Sequence, residues 1–169
     1  MGYWPSSIGA CLAAGGSRTI VITGDGCFQM NVQELATVKQ SKLPIKIFVI
    51  NNNGYLLIRH TQKTHMEGRL MGEGPKTGLW FPDILKVASA YGIHGIRINN
   101  SSELDQKITE VLSYPGPVVC DVKSPNWQLI IPRISSTRQS NGSMLTKPYE
   151  DLSPFLSQKE LKSNMIAEK

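Results

Sequence analysis

Residues 19–54 read TIVITGDGCFQMNVQELATVKQSKLPIKIFVINNNG, and this stretch decides the fold. Thr19 to Thr23 and Ile45 to Ile50 are short, β-branched and apolar throughout, the pattern of parallel strands buried on both faces. Between them apolar residues recur at Phe28, Val32, Leu35 and Ala36, spaced as on one face of a helix. Lys42-Leu43-Pro44 stops that helix before the second strand. Strand, helix and strand in this order predict a parallel α/β sheet with right-handed crossovers.

The same rhythm continues outward. Gly95 to Ile98 and Pro117 to Val122 are weaker strand signals. Pro82 opens a second predicted helix (PDILKVASAYG) that ends near Gly92, and Ser102-Glu103 opens a third that runs to about Ser113. The fold class is therefore α/β, a parallel sheet flanked by helices. Two regions break the pattern. From about Arg59 to Leu79 the chain holds Gly68, Gly72, Gly74, Pro75 and Gly78 with little periodicity, as a long functional loop does. After Lys123 it is rich in Pro, Ser and Asn and reads as an extended C-terminal tail. The expected organisation is a domain over residues 1–123 and a tail over residues 124–169.

Composition narrows the function classes. The chain has 169 residues, 40% of them hydrophobic and only 18% charged, enough apolar content for one packed domain. The net charge is +5, but the basic residues from Lys39 to Lys76 are scattered and lack the dense, aromatic-interleaved run of a nucleic-acid binder. Apolar stretches fall short of the ~20 residues of a membrane span. Cys11, Cys27 and Cys120 are far apart and odd in number, against a disulfide framework or a zinc site. With no basic and apolar leader at the start, the expected location is cytoplasmic.

The chemistry is concentrated in Gly24-Asp25-Gly26-Cys27 and Asn51-Asn52-Asn53-Gly54. Each follows a predicted strand, at the carboxyl edge where open α/β sheets bind ligands. The glycines around Asp25 let the backbone turn and approach a ligand closely, and the helix after them offers unpaired N–H groups to a diphosphate. Asp25 supplies a carboxylate oxygen, Asn52 an amide oxygen and Gly54 a carbonyl. Mg²⁺ takes octahedral oxygen coordination, completed by phosphate and water. Gln29 stands where a GxGxxG motif requires its third glycine, and no GK[ST] follows, which disfavours dinucleotide and P-loop sites.

GDG, followed 27 residues after Asp25 by Asn52 in an Asn pair that ends a strand, resembles the thiamine diphosphate (ThDP) binding signature. The run GDGCFQMNVQELATVKQSKLPIKIFVINNNGYLLIRHTQ, with Met1-Gly2-Tyr3, Pro5 and Ile8-Gly9-Ala10 before it and FPDILKVASAYGI after it, is similar to the acetolactate synthase branch of that family. The likeness is dense over residues 1–123. The tail (PRISSTRQSNGSMLTKPYEDLSPF) resembles that of acetolactate-synthase-like proteins encoded with surface-polysaccharide genes.

The resemblance implies a ThDP-binding fold with ThDP and Mg²⁺ as cofactors. It implies Asp25, Asn52 and Gly54 as metal ligands, and Gly26 and Cys27 as diphosphate contacts, with a thiol where the family commonly has a serine hydroxyl. Tyr55 would line the cofactor site, and Met1 aligns with the apolar residue beneath the thiazolium ring. It further implies an enzyme that decarboxylates a small 2-oxo acid and transfers the resulting acyl carbanion to an acceptor. The alternatives are a simple 2-oxo acid decarboxylase and a non-catalytic ThDP-binding subunit or fragment.

The glutamate that activates the aminopyrimidine lies, in this family, on a pyrimidine-binding domain. The expected partner is that complementary domain or subunit, in a homo- or hetero-oligomer, with the chain inactive alone. A start inside a recognised motif is expected of a truncated, partial or split enzyme. Glu34 is expected on a helix surface, His60 and His65 in the loop that closes over substrate, and His94 in a structural role. No catalytic residue is assigned within the chain.

Overall fold

A computed structural model of the chain describes residues 3–128 and 130–165; Met1, which the resemblance places beneath the thiazolium, lies outside them. The chain divides into two compact units, Met1–Trp127 and Gln128–Lys169. The first contains α1 (Ser6–Ala13), β1 (Thr19–Gly24), α2 (Asp25–Gln29), α3 (Leu35–Gln40), β2 (Ile45–Asn51), α4 (Leu56–His65), α5 (Ile84–Ala90), β3 (His94–Ile98), α6 (Leu104–Ser113) and β4 (Val118–Lys123). Its four strands form one parallel sheet in the order β1-β2-β4-β3.

Side chains alternate across each strand and divide the interior in two. Ile45, Ile47 and Val49 of β2, with Val119 of β4, pack with Trp4, Cys11, Phe28, Leu35, Val38, Ile84 and Ala88. Ile96, Ile98, Val118 and Cys120 point to the opposite face, where Val111, Leu104 and Ile108 of α6 cover them. Burial pushes the Cys120 thiol up to about 12, so it behaves as a small apolar residue of that core. At the β1 end of this face Ile20 and Ile22 remain 52% and 71% exposed.

The four strands occur where the sequence places them. The helix between β1 and β2 is broken: α2 ends at Gln29, a 3₁₀ turn spans Val32–Glu34, and α3 begins at Leu35. Asn31, at φ −133° and ψ 28°, leaves the helical region and makes the break. Phe28, Leu35 and Val38 nevertheless reach the same core, so the apolar spacing reports the buried face correctly across the interruption. Trp4 fixes α2 from outside, its indole N–H donating to the Phe28 carbonyl (3.3 Å) and its ring 5.8 Å from that of Phe28.

Two helices lie where no apolar period announces them. In α1 the buried residues are Ser7 and Cys11, small side chains four apart. In α4 they are Arg59 and His60. Consequently α4 occupies the first part of the region read as a long loop, and the loop proper begins at Met66. Of the basic residues scattered between Lys39 and Lys76, Arg59 and Lys46 are buried rather than solvated. Lys46 is 1% exposed and donates to the Tyr114 and Gly116 carbonyls, both at 2.5 Å.

The second unit is organised locally. β5 (Ser136–Arg138) and β6 (Met144–Thr146) pair as an antiparallel hairpin. Asn141 Oδ1 accepts from Ser143 N (2.9 Å) in its turn, and Gly142 there adopts a φ of +83°. Arg133 and Ser153 form an antiparallel bridge, and α7 (Gln158–Asn164) is capped by Ser157, whose hydroxyl accepts from Glu160 N. Among the described residues no helix is long and apolar enough to cross a membrane.

Asp83 caps α5 by accepting from Leu85 N (2.9 Å) and Lys86 N (3.0 Å), and its other oxygen meets Arg97 Nη2 at 2.7 Å. Arg97 and these N–H groups hold the carboxyl below its ordinary value. A depressed carboxyl contributes stability above its unfolded pKa, lost as pH falls through the folded one. Asp83→Ala should therefore destabilise the chain by about 1 kcal/mol near neutral pH. In urea titrations the difference from wild type should shrink below about pH 4; a pH-independent difference would contradict this role.

Candidate functional site

Asp25 is the first residue of α2 and is 4% exposed. Its Oδ1 accepts from Gly26 N (2.8 Å) and its Oδ2 from Gly54 N (3.0 Å). The carboxylate thus joins the two loops that the sequence singles out, across a distance of 29 residues. Burial pushes its carboxyl above the usual range, against the N–H groups of Gly54, Gly26 and Asn53 and the positive charge of Arg59.

The loop after β2 is tightly specified. Asn53 adopts φ +58° and Gly54 φ +152°. A Cβ on Gly54 would lie 2.1 Å from the Glu73 carbonyl oxygen, so only glycine fits. Tyr55 N donates to that same carbonyl (2.8 Å). Within the loop, Asn52 Oδ1 is buried and, among the described residues, has no hydrogen-bond partner. An orphaned buried acceptor carries a cost of about 1–3 kcal/mol and marks a place where a ligand or ion completes the structure.

Tyr55 lies over the first loop: a Cβ on Gly26 would come within 2.3 Å of its ring. The ring makes an edge contact with Phe81 at 5.7 Å and 78°. Cys27 is half-buried and carries a free thiol. Because α2 is only five residues long, its dipole is short, and the N–H of Gly26 is already donated to Asp25. The residues in question therefore gather at one sheet edge, beside a cleft of about 410 Å³ that Asp25, Phe28, Asn51, Asn53, Phe81 and Lys123 help to line.

Sequence reasoning missed the clamp on the far side of the second loop. Arg59 and Glu73, 8% and 5% exposed, form an ion pair through Nε and Oε2. Arg59 Nη2 also donates to the Glu73 carbonyl (3.2 Å), and Nη1 to the Asn126 carbonyl. Thr77 Oγ1 accepts from Glu73 N (3.0 Å). The segment after α4 is thus tied down beside Gly54 by a buried charge pair. The segment also holds Lys63, Glu67, Arg69 and Lys76, so charge alone does not single out Arg59 and Glu73 as partners.

The histidines separate by position. His60 is 3% exposed and packs on Trp127 at 4.6 Å with the rings tilted by 30°, and Lys63 Nζ is 4.3 Å from the same indole. His65 is exposed at the end of α4. His94 stacks on Tyr114 (4.5 Å, 12°) at the start of β3, the opposite end of the sheet from the candidate site. Glu34 is in the 3₁₀ turn, its Oε2 accepting from Thr37 Oγ1 (3.1 Å).

The donor set suits a hard cation. Asp25 offers a buried negative charge that, among the described residues, has no ion-pair partner, and Asn52 offers an unsatisfied oxygen. Among the described residues no group of three His, Cys, Asp or Glu side chains gathers as a soft or all-carboxylate metal site would require. Carboxylate, amide and main-chain oxygens together are the ligand type that Mg²⁺ accepts alongside phosphate.

Residues 1–122 match the family model described as thiamine pyrophosphate enzyme, C-terminal TPP binding domain. The chain is 40% identical over 146 residues to the acetolactate synthase large subunit of Cyanidium caldarium and 35% identical over the same length to that of Porphyra purpurea, covering 86% of this chain and 24% of each relative. It is 33% identical over 136 residues to the chloroplastic acetolactate synthase of Arabidopsis thaliana, covering 78% of this chain and 20% of that protein. The chain spans about a quarter or less of the length of these relatives.

Gly26→Ala tests how closely Tyr55 packs on the first loop. The added methyl should cost about 1–3 kcal/mol by overpacking. In the Tyr55→Ala background the same change should cost far less, a coupling readable in a double-mutant denaturation cycle. Additive effects would show that the ring does not confine the loop.

Proposed function

The chain belongs to the thiamine pyrophosphate enzyme family, as the C-terminal TPP-binding domain of acetolactate-synthase-like enzymes, and on that premise we propose that Asp25, Asn52 and Gly54 hold Mg²⁺ and that Gly26, Cys27 and Tyr55 face the cofactor. The observation that carries this reading is the buried, unpartnered Asn52 Oδ1, in a loop whose Gly54 N–H is bound to the buried Asp25 carboxylate. A cation there satisfies the orphaned oxygen and compensates the buried charge together. Asp25 keeps its carboxylate aimed by two N–H donors, Gly54 turns its backbone where no side chain fits, and Tyr55 excludes water from above Gly26. The Cys27 thiol stands at the position of the diphosphate, a weaker donor than a hydroxyl.

When bound, ThDP supplies the electron sink for decarboxylating a 2-oxo acid and passing the acyl unit to an acceptor. The residues described orient that group and the metal. Because the chain spans about a quarter of the relatives it matches, we propose that a pyrimidine-binding domain, on the same polypeptide or a partner, supplies the remaining half of the site in an oligomer. The boundary between cofactor domain and tail is proposed at residue 123, after β4. For location we propose the cytoplasm, in keeping with three free cysteines.

Asp25→Ala should abolish Mg²⁺-dependent ThDP binding in calorimetric titration while the far-ultraviolet circular dichroism stays that of the wild type. Unchanged affinity would refute the assignment. The requirement for a second domain has its own test, decarboxylation of pyruvate by the purified chain with ThDP and Mg²⁺. Turnover should be negligible alone and should appear only when a pyrimidine-binding domain is added. Robust activity of the chain by itself would show the site to be complete.

A further inference from the structure

Asp121 is fully buried at 0% exposure on β4. Its Oδ2 faces two cations, Arg97 Nε at 2.8 Å and Lys123 Nζ at 3.3 Å. Its Oδ1 accepts from Asn51 Nδ2 at 2.8 Å. Asn51 in turn presents its Oδ1 to Asn53 N (3.1 Å), inside the loop that carries Asn52 and Gly54. The next N–H of that loop, from Gly54, is the one that reaches the Asp25 carboxylate (3.0 Å). Sheet register explains the line: β4 runs between β2 and β3, and Asp121 is level with Val49 on one neighbour and Arg97 on the other.

We propose that Asp121 is a positioning residue for the proposed metal loop, and that it acts by fixing which way the Asn51 amide points. An ionised carboxylate is acceptor-only, so it must receive the NH₂ of Asn51. That leaves the Asn51 oxygen, and not its nitrogen, facing Asn53 N. The left-handed turn at Asn53 is thereby held, and with it the direction of the unpartnered Asn52 oxygen. Arg97 and Lys123 occupy the other Asp121 oxygen, which leaves Oδ1 to Asn51, and Arg97 is itself held by Asp83 at the start of α5. Asp121 touches neither metal nor cofactor in this scheme. The proposal rests on the metal-site reading above.

The carboxylate's polarity can be reversed without changing shape. In Asp121→Asn the two cations claim the amide oxygen, so the new NH₂ faces Asn51. Asn51 must turn over to accept from it, and its own NH₂ then meets the Asn53 N–H. The paired change Asn51→Asp with Asp121→Asn restores every donor–acceptor match, because a carboxylate at position 51 accepts from both neighbours.

The experiment uses the full chain with Mg²⁺ and ThDP as probes, following affinity by calorimetry and the amide exchange of Asn53 by NMR without either ligand. Asp121→Asn should weaken Mg²⁺-dependent ThDP binding about 10-fold or more, the usual range for a residue behind a metal ligand. It should also accelerate Asn53 exchange. The paired variant should return to within about threefold of wild type in both measurements, which a loss of general packing would not do. Wild-type affinity in Asp121→Asn, or a paired variant that folds but stays as weak as the single one, overturns the proposal. Should Asp121→Asn fail to fold, Asn51→Ala removes the same acceptor at a half-exposed position, and undiminished affinity in that variant overturns it equally. A wild-type chain without Mg²⁺-dependent ThDP affinity would refute the metal-site reading instead, while Asn53 exchange still judges the hydrogen-bond line.

Discussion

The carboxylate of Asp25 is taken out of water at the carboxyl edge of a parallel sheet, and the arrangement around it follows from the need to hold that charge. Two N–H donors, from Gly26 and Gly54, reach its two oxygens. To bring them there the chain must end β1 and β2 at the same level, which their parallel register does: Gly24 is beside Ile50, one residue before the Asn loop. Both donors belong to glycines, and in each case a side chain would collide with a neighbour, Tyr55 over Gly26 and the Glu73 carbonyl against Gly54. The close approach of three backbone segments is thus a requirement of solvating one anion with main-chain groups alone.

Such packing needs support from outside, and the buried Arg59–Glu73 pair supplies it. Desolvating two charges is expensive, and a buried ion pair is poor evidence for stability in itself. Its value here is geometric. Glu73 contributes a carbonyl to Tyr55 N and a carboxylate to Arg59, while Arg59 reaches onward to Asn126. One side chain therefore ties α4, the glycine-rich segment and the strand-end segment after β4 to the same backbone turn. An apolar pair could pack as well, but it could not bond the main-chain carbonyls of both Glu73 and Asn126.

What the sequence reveals is set by the range of the interaction. The strands were legible because burial on both faces leaves unbroken β-branched runs, and the Asp25 and Asn52 motifs because glycine and asparagine cluster where the backbone turns. The α4 helix was not, since its buried residues are Arg59 and His60 and its three leucine and isoleucine residues are consecutive rather than periodic. The break at Asn31 was hidden for the opposite reason, as apolar spacing survives a 3₁₀ interruption. Asp121 and Arg97 could not have been connected to Asn51, because the contact depends on β4 lying between β2 and β3, a fact of topology that no local pattern contains. The site's ligands are short-range features, whereas the groups that aim them are long-range.

The two buried aspartates show why that division matters. Asp25 and Asp121 flank β2, one just after β1 and the other within β4, and both are nearly or wholly inaccessible. Asp121 is neutralised within the protein, by Arg97 and Lys123, so it presents a fixed hydrogen-bonding surface whatever is bound. Asp25 receives backbone N–H groups but, among the described residues, no cationic side chain within ion-pair distance, so its charge is only partly compensated. Exchange the two environments and neither would serve: a salt-bridged Asp25 would have little need of a cation, and an under-compensated Asp121 would draw one to a place no ligand can enter. The Asn51–Gly54 loop lies between them, shaped from the satisfied side and open to a ligand on the unsatisfied one.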